Sequence, residues 1–140
     1  MNQIKIIGYY EEKFKGLGII KNGLKTKLIS ALLNSNEDYS KPNELVCLSI
    51  LYCFYTTAKN ILAIQNNNIS SSDIKIKILC NTLKDQKGFY FQIDLFFSIK
   101  TLSIPQIKEI MDLTHIKCPV SRLFHSYPHI NLIPVLFQEI

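Results

Sequence analysis

The order of elements along the chain predicts an α+β fold: strands first, then one long helix, a strand pair, a second helix and a last strand. Three observations carry this. An apolar stretch runs from Pro42 to about Gln65, Asp73-Ile74-Lys75-Ile76-Lys77-Ile78 alternates polar with apolar, and Asn22-Gly23 separates two mixed runs in the N-terminal third. At 140 residues with 47% hydrophobic content, the chain has the size of one domain, residues 1–140, and enough apolar surface for a packed core. It has no internal repeat.

In the N-terminal third, strands are expected around Ile4, Ile6 and Ile7, over Lys13 to Ile20 with its two glycines, and over Leu24 to Ser30. Asn-Gly between such runs is a strong hairpin signal, because both residues tolerate the positive φ of a tight turn. The polar segment Asn34 to Lys41 is a loop leading into Pro42, whose missing N–H suits the first position of a helix. The helix that follows is apolar on nearly every azimuth, through Leu45, Leu48, Leu51, Tyr52, Phe54, Tyr55, Ile61 and Leu62. A helix apolar all round is buried, so this one is expected to be central. At about 1.5 Å per residue it is roughly 35 Å long, enough to run through a small domain or across a dimer.

The Asn-rich segment Gln65 to Ser72 reads as a loop, and Asp73 to Ile78 with Gly88 to Lys100 as a long hairpin. Ser103-Ile104-Pro105 opens a second helix with Ile107, Ile110, Met111 and Thr114 on one stripe. It ends near Lys117, because Pro119 forbids simple continuation. The last segment, Ile130 to Ile140, is β-like, and Pro134 places it at an edge or a bulge.

Composition narrows the function classes. The formal charge is +5, but it comes from fifteen lysines scattered beside a single arginine, Arg122. Without a basic block or an arginine fork, a solvated surface is expected rather than nucleic-acid binding. No run of about eighteen uninterrupted apolar residues is present, and the start lacks the apolar run of a secretory signal, so a cytoplasmic protein with no membrane partner is expected. The four cysteines, Cys47, Cys53, Cys80 and Cys118, show neither CxxC spacing nor a histidine at zinc-finger distance, and no metal or other cofactor is expected. His125 and His129 would share a face only in a helix, which Pro128 opposes. Cys47 projects to another side of the helix from Cys53, and Cys80 is read as ending a strand; both are expected to be packing thiols.

Two cysteines stand out. Around Cys53 on a helical wheel, Val46, Ser49, Ile50, Thr56, Thr57 and Asn60 fall within about 60°. Such a polar stripe on an apolar helix lines a site, or else its hydroxyls bond back to helix carbonyls and Cys53 is an inert core thiol. Pro119 directly after Cys118 invites a new helical turn with Cys118 as its cap, where the thiol would face free N–H groups that favour thiolate. The alternative there is a plain turn with a buried thiol.

Pro42-Asn43-Glu44-Leu45, with Cys53 eleven residues after the proline, resembles the first signature of the OsmC/Ohr (osmotically inducible protein C-like) superfamily. Lys117-Cys118-Pro119-Val120-Ser121-Arg122 resembles the second, usually written CPVS. The resemblance implies antiparallel sheets packed around a long central helix in an intertwined homodimer with sites at the subunit interface. It implies a thiol-dependent peroxidase acting on organic hydroperoxides, with Cys53 attacking the peroxide, Cys118 resolving the sulfenic acid to a disulfide and an external dithiol reductant restoring both. Glu44 ranks below the cysteines as a catalytic candidate and is most simply a carboxylate at a helix N-terminus. The chain departs from the family pattern in having no arginine before Arg122, where a lysine such as Lys13 or Lys15 would have to serve. Asn43 occupies the usual glutamate position, with Glu44 one residue later. Two further readings are a non-catalytic OsmC-like dimer binding an apolar small molecule and a basic module that docks an acidic partner.

Overall fold

A computed structural model describes residues 3–65 and 68–140. The start at Met1-Asn2, and Asn66 and Asn67 within the expected Asn-rich loop, lie outside the described residues. The contacts divide the chain into two compact units, Met1–Val46 and Cys47–Ile140.

The first unit is a three-stranded antiparallel sheet in the order β1 (Gly8–Tyr9), β2 (Leu17–Ile20), β3 (Lys25–Lys27). Its strands are shorter than the sequence suggests. Ile4 and Ile6 are 91% and 72% exposed and pair with nothing in the sheet, because a strand with no apolar neighbour to cover it gains little from pairing. Lys13 belongs to a 3-10 turn, Glu12–Phe14, and the chain leaves that turn through Lys15 and Gly16, both at positive φ. The Asn-Gly signal holds: Asn22 takes a left-handed φ of 58° and the turn is closed by the Gly23 N–H donating to the Ile20 carbonyl at 2.9 Å. The loop that follows is tied back to β3, with the Ser40 N–H donating to the Lys27 carbonyl and a 2.8 Å hydroxyl contact between Thr26 and Ser40.

Helix α1 (Pro42–Ile64) begins in the first unit and runs on into the second. It is long and apolar enough to cross a membrane by length and composition only, a test that the core helix of a soluble protein also passes. In the second unit it buries one stripe, Ile50, Phe54, Ala58, Ile61 and Leu62, at the three- and four-residue spacing of a single helix face. Within this chain its cover is therefore one-sided. Leu48, Tyr52 and Ile64 are 63%, 72% and 79% exposed, because the elements of this chain cover only one side of it.

The second sheet has the order β4-β5-β6. β4 (Ile74–Asp85) and β5 (Gly88–Ile99) form the expected hairpin in antiparallel register from Ile74 opposite Ile99 to Asp85 opposite Gly88, and it is longer than the alternating run. Cys80 accordingly lies within β4 opposite Ile93 rather than at a strand end. Gly88, at a φ of 122°, is required by the tight turn. Ile93, Leu95, Phe97 and Ile99 occupy alternate positions of β5 and are all buried, which makes that strand the floor of the core. Phe54 meets Phe97 edge-on, with centroids 5.3 Å apart. α2 (Ile104–Lys117) is capped by a reciprocal Ser103/Gln106 pair and buries Ile107, Ile110, Met111 and Thr114. After a short α3 (Pro119–Leu123), β6 (Ile130–Pro134) joins β5 in parallel as an edge strand. That position tolerates Pro134, and the chain then turns into a 3-10 segment, Phe137–Glu139, instead of continuing as strand.

The Phe54–Phe97 contact should be measurable. Each single change to alanine is expected to cost about 3–5 kcal/mol in denaturant unfolding. The double mutant should recover about 0.5–1.5 kcal/mol relative to additivity. Strict additivity would mean that the edge-to-face geometry contributes nothing beyond burial.

Candidate functional site

Cys118 occupies a double junction. Its N–H donates to the Thr114 carbonyl at 2.8 Å and ends α2, while its sulfur accepts the Ser121 N–H at 3.5 Å and begins α3. Pro119 stands at the first position of α3, where no N–H is needed. The expected cap is therefore present. The Cys118 side chain is fully buried, and its sulfur lies 3.1 Å from that of Cys53 in the middle of α1. Cys53 itself is partly exposed. None of the four cysteines is in a disulfide. A bond would need the two sulfurs to close to about 2.05 Å, a movement of roughly an ångström.

The polar stripe around Cys53 divides. Thr56 bonds back to the Cys53 carbonyl at 3.1 Å, the structural option, while the Thr57 hydroxyl bonds to the Cys53 thiol. Ile50 is buried in the core, and Ser49 and Asn60 are exposed. Burial is the main influence on the Cys53 thiol and pushes its pKa up, and the Cys118 thiol pushes the same way by hydrogen bonding and by charge. Two neutral donors oppose this: the Val120 backbone N–H and the Thr57 hydroxyl. Val120 was not singled out from the sequence, although it is the third residue of Cys118-Pro119-Val120-Ser121 and that motif was the available signal.

Glu44 is engaged locally. Its carboxylate accepts the Lys41 N–H at 2.9 Å, as expected for an acidic residue in the third helical position, and this bond holds its pKa below the usual carboxylate value. Asn43 is buried, and its amide oxygen has no hydrogen-bond partner among the described residues. Lys13 pairs with Glu11 at 3.4 Å, both exposed. Cys47 and Cys80 are half-buried. Among the described residues no three His, Cys, Asp or Glu side chains are grouped so as to hold a metal. The histidines are paired differently from the sequence spacing: His115 stacks on His125, and His129 lies against Tyr90 and Tyr127.

A chain that holds two unlinked thiols in sulfur-to-sulfur contact, one buried at a helix junction and one partly open, is a dithiol protein of the α+β class. A family model for OsmC-like proteins matches residues 35–133, and the chain belongs to that family. No curated protein matches it. Among solved structures, a protein of Lactobacillus casei ATCC 334 is similar with TM-score 0.80 at 17% identity, over 97% of this chain and 93% of that one. The organic hydroperoxide resistance protein OsmC of Legionella pneumophila gives TM-score 0.76 at 16% identity, over 97% and 98%. OhrB of Bacillus subtilis, also an organic hydroperoxide resistance protein, gives 0.70 at 18%, over 94% and 96%. These likenesses show the OsmC/Ohr fold, with two sheets and a long helix.

Because burial pushes the Cys53 thiol up, the midpoint of its alkylation by iodoacetamide should lie above pH 9.0, the ordinary thiol value. Thr57→Val should move the midpoint further up by removing a donor to the thiolate. A plateau below pH 9.0 would show that the donors outweigh burial.

Proposed function

We propose that the chain is a cytoplasmic thiol-dependent peroxidase that reduces organic hydroperoxides through a Cys53/Cys118 cycle. The observation that carries the reading is the 3.1 Å approach of the two sulfurs. The relatives named as organic hydroperoxide resistance proteins support it.

Exposure supports the division of roles. Cys53 is the thiol a substrate can reach, while Cys118 has no accessible surface. The Cys53 thiolate attacks one oxygen of the hydroperoxide, the O–O bond breaks, and the alkoxide takes a proton and leaves as the alcohol. Cys53 is then a sulfenic acid. The Cys118 sulfur attacks it, the S–O bond breaks, water leaves with the thiol proton, and a disulfide remains. A dithiol reductant supplies two electrons and two protons to restore the pair. Glu44 serves this cycle by fixing the first turn of α1, the helix that carries Cys53.

The reading includes a homodimer. Leu48 and Tyr52 on α1, with Leu79, Leu83 and Phe89 on the β4–β5 hairpin, are large apolar side chains left exposed by the chain itself. The second reading, a non-catalytic dimer that binds an apolar small molecule, is favoured by the raised Cys53 pKa. An apolar cavity of about 320 Å³ between Leu48, Leu51, Tyr52, Tyr55 and Ile76 also favours it.

Reduced protein treated with a stoichiometric amount of cumene hydroperoxide should form a Cys53–Cys118 disulfide, read by peptide mass analysis without reductant. Cys53→Ser should abolish peroxide consumption, and Cys118→Ser should stop at a sulfenic acid that dimedone traps on Cys53. Peroxide that persists over a free Cys53 thiol would sink the peroxidase reading and leave the binding one. In light scattering the chain should show twice its 16.1 kDa mass, and Tyr52→Glu should shift it toward monomer. A monomeric wild type would remove the dimer from the proposal.

A further inference from the structure

A second cluster of ionisable side chains is not used by the thiol chemistry. His115 lies in the last turn of α2, Arg122 in α3 and His125 just beyond it. With Ile116 they line an open cavity of about 280 Å³. The imidazoles of His115 and His125 stack with centroids 5.7 Å apart and planes 27° from parallel. The Nδ1 of His115 has no accessible surface and no hydrogen-bond partner among the described residues, so the ring meets the cavity through its other edge.

The sign of the surrounding charge decides what such a pair can hold. No acidic side chain lines the cavity. The carboxylate that acts on His115, Asp112 on the same helix, is taken up by Lys108. A divalent metal between the two imidazoles would sit against the guanidinium of Arg122 and be repelled. An anion meets the reverse: a planar fork of N–H donors from Arg122 and one N–H from each imidazole, a donor set matched to the several oxygens of a tetrahedral group.

We propose that the His115/Arg122/His125 cavity binds a small oxyanion, a phosphate or sulfate group that is either free or carried at the end of a small molecule. The site does not depend on peroxidase activity. It is joined to the thiol segment through the backbone, where the Arg122 N–H donates to the Cys118 carbonyl at 3.0 Å.

Titration calorimetry of the reduced protein with sodium sulfate, whose charge is constant near neutral pH, is the test. Saturable millimolar binding is expected, weakened by about tenfold or more in Arg122→Gln and in His125→Gln, as loss of a charge-assisted contact implies. Lys117→Gln, the adjacent exposed lysine outside the cavity, should leave it within about twofold. Phenyl phosphate binding more tightly than inorganic phosphate identifies a phosphorylated small molecule, with Ile116 meeting its body; the opposite order identifies the free ion. Absence of saturation in the millimolar range, or equal weakening by Lys117→Gln and Arg122→Gln, overturns the proposal in favour of diffuse counter-ion attraction.

Discussion

The site depends on one backbone constraint, the Cys118-Pro119 step between two helices. A residue before proline is pushed out of the helical region, and Cys118 takes an extended conformation at φ −69° and ψ 120°. That single residue closes α2 with its N–H and opens α3 with its sulfur. Its side chain is fully buried as well, so little rotameric freedom remains. The sulfur is therefore aimed at α1 by backbone geometry rather than by a side-chain choice that would have to be made again at each encounter. The entropic cost of bringing two thiols together is met when the protein folds.

What the junction does not supply is a strong local charge. The Cys53 thiol is served by a backbone N–H and a hydroxyl, both neutral, against burial and a second thiol in contact with it. Neither donor brings the full positive charge that an arginine or lysine beside the thiolate would supply. Burial wins, and the thiol pKa rises. Within the proposed cycle this divides the labour unevenly. The raised pKa works against the first step, whereas resolution needs only a short movement between sulfurs already in contact.

Much of this was legible from residue pattern. Pro42, the Ser103-Ile104-Pro105 start and the period-3.6 stripe of α2 located both long helices, because each signal acts within a few residues of its effect. Pro119 pointed to Cys118 as a cap while leaving a plain turn open. The contact between Cys53 and Cys118 was not derivable that way: the two are 65 residues apart in sequence, and only the family resemblance joined them. The His115–His125 stack was equally hidden, since the two lie on different elements on either side of the Cys118-Pro119 break. The N-terminal strands are shorter than their residues suggest: Ile4 and Ile6 have the β-branched side chains of sheet residues, yet strand formation also needs a covered face.

The same distinction applies to α1. Its sequence is apolar on nearly every azimuth, more widely than the burial within this chain accounts for. The chain supplies cover for the Ile50, Phe54, Ala58, Ile61 and Leu62 stripe and leaves Leu48 and Tyr52 mostly in water. Apolar surface contributes about 25 cal/mol per Å² when removed from water, and a monomer that keeps such residues exposed forgoes that stabilisation. Their placement is also contiguous, joining Leu51, Tyr55 and Ile76 around one cavity, as a surface meant to be covered is arranged. A second copy of the chain would cover it and put the same helix, now shielded on both sides, at the middle of the assembly, which reconciles the all-round apolar sequence with the one-sided burial.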